Sequence, residues 1–135
     1  MDIKRARVFV IEDEKIMSTY VLGALRRMGI LDLYAFTDGV GALRELGDLK
    51  PDLIITDVHM APMGGIEFVQ KLRTLPDEKL SAIPVIFLSA DSSKSTIGDV
   101  LPLGVAGYLV KPPNVKALEA KIEHAFKGYK TFLFD

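Results

Sequence analysis

Short apolar runs alternate along the chain with longer stretches in which apolar residues recur every three or four positions. The runs cover residues 7–11, 31–36, 53–56, 84–88 and 106–110. Near-continuous apolar sequence of this length predicts strands buried on both faces, as in a parallel sheet. After the first run, Ile16, Tyr20, Ala24 and Met28 recur at helical spacing and Gly29 supplies a stop. A weaker helix is predicted over 39–46, with Val40, Leu43 and Leu46 inward and Gly47 and Pro51 ending it. The next spans 65–75, with Phe68, Leu72 and Leu75 on one face. Residues 93–101 carry Ser, Thr and Gly and are closed by Pro102, which predicts a short or mobile helix. In the last stretch Val115, Leu118, Ile122 and Phe126 form an apolar stripe, Lys116, Glu119, Glu123 and Lys127 face water, and Gly128 ends the helix. Strand and helix alternation predicts an α/β fold, and right-handed crossovers place helices on both faces of one sheet.

Composition narrows the class. A chain of 135 residues with 49% hydrophobic content suits a single domain spanning 1–135, with a core over about 4–127. Its 17 basic and 18 acidic residues give a net charge of -1, so no general attraction to nucleic acid is expected. The absence of cysteine excludes disulfides and thiolate metal sites. The first seven residues lack the apolar core of a signal peptide, and no apolar run approaches the roughly 18 residues that span a membrane. A soluble, cytoplasmic protein is expected.

The chemistry gathers at strand ends. Asp57 closes the run Pro51-Asp52-Leu53-Ile54-Ile55-Thr56 and emerges at a strand's carboxyl end, where open α/β sheets bind ligands. Glu12 and Asp13 follow the first strand, so three carboxylates meet at one edge. Crowded carboxylates repel and need a cation or a raised pKa, and Mg2+ prefers such hard oxygen ligands. Helix capping by Asp13 would account for the acidic pair but not for Asp57. Lys111 leaves the fifth strand at the same edge, where an ammonium pairs with carboxylate or phosphate oxygens. An X-Pro bond such as Lys111-Pro112 adopts cis at modest cost, which would turn the lysine inward. Ser89 exits the fourth strand with a hydroxyl able to donate to a phosphoryl oxygen, and small Ala90 leaves room for the group. Taken alone, Ser89 is equally a loop-start serine.

In order, an acidic pair after strand one, Asp57 after strand three, Ser89-Ala90 after strand four and Lys111-Pro112 after strand five resemble the receiver domain of two-component response regulators. The resemblance covers nearly the whole chain. It implies a flavodoxin-like (βα)5 three-layer sandwich with parallel strand order 2-1-3-4-5. It further implies that Asp57 is the phosphoacceptor, attacking a phosphohistidine on a sensor histidine kinase or histidine phosphotransfer protein. Glu12, Asp13, Asp57 and the backbone carbonyl of His59 would bind Mg2+, while Lys111 neutralises charge on the transferring group. Ser89 and Tyr108 would form the switch, the tyrosine turning inward as the loop after Ser89 moves. His59 and Asp91 resemble positions that tune phosphate lifetime. The output surface would comprise the 93–101 helix, the fifth strand and the last helix. On this reading the chain is a signalling protein that acts only on itself, not a turnover enzyme.

The chain departs from the family pattern in three places: Glu-Asp where Asp-Asp is commoner, Met60-Ala61-Pro62 where Met-Pro is usual, and Pro102 in the fourth helix. The alternative is a receiver-like interaction module that works without phosphorylation. A haloacid-dehalogenase-like phosphatase would need a second aspartate where His59 stands, and a flavodoxin-like cofactor carrier would need a Ser/Thr/Gly-rich loop in place of Glu12-Asp13-Glu14. With no effector sequence following, output is expected through protein contacts. The apolar tail 129–135 is expected either to pack back on the domain or to dock a partner or a second copy, giving a homodimer.

Overall fold

A computed structural model describes residues 2–128 and 133–134. The elements are β1 (Arg7–Ile11), α1 (Lys15–Arg27), β2 (Asp32–Phe36), α2 (Gly39–Leu49), β3 (Leu53–Thr56), α3 (Gly65–Arg73), the one-turn α4 (Glu78–Ser81), β4 (Val85–Ser89), α5 (Lys94–Val100), β5 (Gly107–Val110), α6 (Val115–Phe126) and the two-residue β6 (Leu133–Phe134). The five expected strands lie in the order β2-β1-β3-β4-β5, every neighbouring pair parallel, and β6 adds beyond β5, opposite Gly107 and Tyr108.

Strand side chains alternate between two cores, as a period of two requires. Val8, Val10, Ile55, Ile86 and Leu109 join α1 and α6 on one face. Phe9, Ile11, Ile54, Phe87 and Tyr108 join α2 and α3 on the other. Both faces are covered, which is why β3 and β4 are buried along their whole length.

Several details differ from the sequence expectations. The stripe Ile16, Tyr20, Ala24 and Met28 is buried only in its second half: Ala24 lies in the core with Val21 and Leu25 and Met28 packs against it, while Ile16 is 87% exposed. The helix has no buried residue before Val21, its first turns standing at the sheet's carboxyl edge. Gly47 does not end α2, which runs on to Leu49 and stops where Lys50 adopts a left-handed φ of 47°. The inward residues of α2 are Ala42 and Leu46, with Val40 and Leu43 half-buried. The third helix stops at Arg73, two residues short of Leu75. The helix α4 was missed, although Asp77 caps it by accepting from the backbone N–H groups of Lys79 and Leu80. The short helix expected over 93–101 is found: α5 has seven residues, and Pro102 follows it in a 3-10 turn, Leu101–Leu103. Of the tail, residues 129–132 and 135 lie outside the described residues; Leu133 and Phe134 pair along β5. Among the described residues no helix is long and apolar enough to cross a membrane.

The one-turn helix and the 3-10 turn are tied to α3 by one guanidinium. Arg73 donates from Nε to Leu103 O at 2.8 Å and from Nη1 to Ser81 O and Ile83 O at 2.9 and 2.7 Å. Replacing Arg73 with Met keeps the aliphatic stem but leaves three part-buried carbonyls without this donor. Arg73→Met is expected to lower unfolding free energy by about 2 kcal/mol in urea denaturation, in the range for charge-assisted hydrogen bonds. A change below about 0.5 kcal/mol, the scale of an ordinary surface substitution, would show that the clamp adds nothing.

Candidate functional site

The ladder hydrogen bonds of the sheet run one residue past the strands and so place the site residues. Asp57 N–H donates to Ile11 O at 3.0 Å, Glu12 N–H to Phe36 O at 2.9 Å, and Lys111 N–H to Ser89 O at 2.9 Å. These bonds join the exits of five strands at one carboxyl edge, four of which carry site residues. The loop beyond Asp57 is fixed by Gly65 at the start of α3, whose N–H donates to Val58 O at 2.9 Å. A Cβ at Gly65 would lie 2.0 Å from Asp57 O and 2.9 Å from the Phe87 ring. Only glycine permits this helix to start so close to the acidic residue's own backbone.

Lys111 is turned inward, its side chain 6% exposed, and the Lys111-Pro112 peptide is cis, as is Ala61-Pro62. Its ammonium lies 2.8 Å from Asp57 Oδ2, 2.5 Å from Glu12 Oε1 and 3.1 Å from Glu14 Oε1. Glu12 Oε1 makes no hydrogen bond of good geometry, so the ammonium balances its charge as an ion-pair contact. Burial pulls the Lys111 pKa down, but its close contacts with Asp57, Glu12 and Glu14 outweigh it and hold the ammonium well above the ordinary lysine value. Burial pushes Glu12 up, against the pull of Lys111 and of the Glu14 N–H that donates to Oε2 at 3.0 Å. The second Asp57 oxygen, Oδ1, accepts from Val58 N–H at 2.7 Å.

Glu12, Asp13 and Asp57 each offer a carboxylate oxygen within 4.8 Å of the others. Two of them are buried and Asp13 is exposed, a hard oxygen donor set that fits a divalent cation of the Mg2+ type. Helix capping by Asp13 does not explain the pair. The N-cap of α1 is Glu14, and its side chain makes no capping bond.

Asp13, Glu14, Asp57, His59, Ser89, Ala90, Asp91 and Lys111 line one open cavity of about 480 Å³. Every residue expected at the site is there except Glu12, which lies beneath Lys111, and Tyr108, which lies behind Ser89 in the core. Ser89 is buried and its Oγ accepts from Asp91 N–H at 3.1 Å. The Tyr108 ring is fully buried and its hydroxyl donates to the backbone carbonyl of Asp91. The inward position is thus occupied in the structure as it stands. Burial raises the Tyr108 pKa, partly offset by Ser89.

Asp91 is also joined to His59. His59 Nε2 lies 2.8 Å from Asp91 Oδ2, and the same oxygen accepts from Thr96 Oγ1 at 2.6 Å. Oδ1 accepts from Ser93 N–H at 2.9 Å. These bonds, that of Thr96 first and that of His59 next, hold the Asp91 carboxyl well below the usual range. Their stabilising effect is therefore present above the unfolded carboxylate pKa of about 3.9 and is lost only as pH falls through the depressed folded value. Glu14 and Thr96 were missed by sequence reasoning. Only their places, three residues after the first strand and in the first turn of a helix, hinted at them.

Comparison with known proteins agrees with this geometry. The family model for the response regulator receiver domain matches residues 8–123. The chain is 31% identical over 121 residues to the chemotaxis protein CheY of Pseudomonas aeruginosa, covering 90% of this chain and 96% of that protein. It is similar in structure to the signal receiver domain of a signal transduction histidine kinase from Syntrophus aciditrophicus, with TM-score 0.81, 28% identity and coverage of 93% and 92% of the two chains. The chemotaxis response regulator CheY4 of Vibrio cholerae superposes with TM-score 0.78 and 28% identity over 89% of this chain and 98% of that one. With strand order, site geometry and family model in agreement, the chain belongs to the response regulator receiver domain family.

Proposed function

We propose that this chain is a response regulator whose Asp57 accepts a phosphoryl group from the phosphohistidine of a sensor kinase or histidine phosphotransfer protein. The observation that carries the reading is the Asp57 carboxylate, hydrogen-bonded to a buried ammonium and within 4.8 Å of two further carboxylates in an open cavity. An Asp57 oxygen forms the new P–O bond as the P–N bond to the donor imidazole breaks, and the electron pair leaves with the imidazole. The Val58 N–H holds Oδ1 and so fixes the plane of the nucleophile. Lys111 stays protonated and offers its charge to a phosphoryl oxygen rather than acting as a base. The Ser89 hydroxyl, at the cavity wall, donates to another. Mg2+ held by Glu12, Asp13, Asp57 and the His59 carbonyl would supply further positive charge where charge develops.

The chain acts on its own side chain and not on a turnover substrate. Its output is a phosphorylation-dependent contact through α5, β5 and α6. Ser89 and Tyr108 both bond to the Asp91 backbone, so a phosphoryl group that recruits the Ser89 hydroxyl disturbs the Tyr108 bond as well. The alternative, an interaction module indifferent to phosphorylation, is disfavoured by a site in which every group is chemically competent.

Incubation with a small acyl phosphate and Mg2+ is expected to add one phosphoryl group by intact mass. Asp57→Asn and metal-free controls should add none. A folded chain that gains nothing from the small donor or from phosphohistidine proteins would leave the phosphorylation-independent module as the surviving reading.

The metal assignment is tested by thermal unfolding. Because burial raises its folded pKa, Glu12 favours the fold below its unfolded pKa and loses that benefit as pH rises through the folded value. Mg2+ at 100 times its dissociation constant should stabilise the wild type by about 2.7 kcal/mol. Glu12→Gln should raise the metal-free Tm and blunt the response to Mg2+. A wild-type Tm indifferent to Mg2+ would count against the site.

A further inference from the structure

A polar network at the cavity rim that the phosphoryl chemistry leaves unused joins two loops that are far apart in sequence. His59, in the loop between β3 and α3, and Asp91, in the loop between β4 and α5, face each other across the cavity and share a hydrogen bond of 2.8 Å. The His59 side chain is 65% exposed, so this pair forms an outer strap and not a buried brace. An exposed pair of this kind is weakly held when it has no other support.

The support comes from α5. Thr96 is buried, and its Oγ1 donates to the same Asp91 Oδ2 at 2.6 Å. Its hydroxyl in turn accepts from Ser93 Oγ at 3.0 Å, and its N–H donates to that Oγ at 3.2 Å. The chain of donors from Ser93 through Thr96 to the carboxylate polarises each bond in sequence. With Ser93 N–H on Oδ1 and Thr96 Oγ1 on Oδ2, the carboxylate plane is fixed before His59 meets it. Without Thr96, Oδ2 would depend on the exposed imidazole alone.

We infer that Thr96 is a positioning residue that holds Asp91 against His59 across the mouth of the Asp57 cavity, so that α5 sets how readily water reaches an acyl phosphate formed there. The inference rests on the phosphorylation reading for its consequence but on the hydrogen-bond network for its geometry. The Asp91 oxygens already accept three hydrogen bonds in the strap, so Asp91 is poorly placed to activate water. Releasing it both opens the mouth and frees a carboxylate near the phosphorus. Both effects shorten the life of the acyl phosphate.

The test compares Thr96→Val and Thr96→Ser, each in the wild-type and Asp91→Ala backgrounds. Two quantities are read: the half-life of the phosphoryl group on Asp57, and the hydrogen exchange rates of the Asp91 and Ser93 amides. Thr96→Val keeps the volume and loses the donor, and is expected to shorten the half-life at least about threefold, a modest part of what one charge-assisted hydrogen bond supports. Thr96→Ser should restore it to within about twofold by keeping that donor. In the Asp91→Ala background, Thr96→Val should change nothing further, an outcome that a purely structural role would not give. An unchanged half-life in Thr96→Val, or an equal effect with and without Asp91, overturns the inference. Should Thr96→Val fail to fold, Thr96→Ala takes its place under the same criteria. If the wild type takes up no phosphoryl group, the phosphorylation reading has failed and amide exchange alone decides. Faster exchange in Thr96→Val but not in Thr96→Ser then upholds the positioning role, and equal exchange overturns it.

Discussion

The ammonium of Lys111 lies within 2.5 to 3.1 Å of oxygens from Glu12, Asp57 and Glu14 with only 6% of its side chain exposed, and the chemistry of the sheet edge depends on that arrangement. Two opposite charges at 4 Å are worth about 4 kcal/mol at an effective dielectric of 20, and this has to exceed the penalty for taking each from water. For Lys111 it does, since its pKa rises despite burial. For Glu12 burial wins, and its carboxyl is pushed up. The two directions describe one cluster with more negative than positive charge. A buried acidic excess of this kind is a standing demand for a second cation.

That imbalance accounts for the glutamate at position 12. Its longer side chain reaches in two directions, Oε1 toward the ammonium and Oε2 to the Glu14 N–H. Glu14 in turn stands at the N-cap of α1, but its side chain turns to Lys111 and makes no capping bond. Asp13 is left exposed at the cavity, where an arriving ion can reach it. The three consecutive acidic residues thus do three different things, although a sequence pattern treats them as a block.

The strands were legible because burial on both faces leaves unbroken apolar runs; their order rested on the family resemblance, and the register of Leu53–Thr56 against Arg7–Ile11 emerged only in the structure. Asp57, Lys111 and Ser89 were legible for the same reason: each is the first polar residue after such a run, or its last. What was not legible is whatever depends on contacts distant in sequence. The stripe of Ile16 and Tyr20 has helical spacing, yet nothing local says that the first turns of α1 stand at the end of the sheet. The several carbonyls gathered by Arg73 and the bond between His59 and Asp91 join positions that no periodicity connects. Lys50 ends α2 in a conformation that sequence would have assigned to Gly47.

Asp91 shows how such distant contacts convert a set of residues into a mechanism. Its N–H reaches Ser89, its carbonyl receives Tyr108, and its carboxylate holds His59, Ser93 and Thr96. The residue whose N–H bonds the Ser89 oxygen is the same one that holds the tyrosine and the first turn of α5. The tyrosine in turn belongs to β5, whose outer edge is paired with β6 at that position. Ser89 at the cavity and Tyr108 on β5 thus meet at the backbone of one residue, and the Tyr108 ring already lies inward.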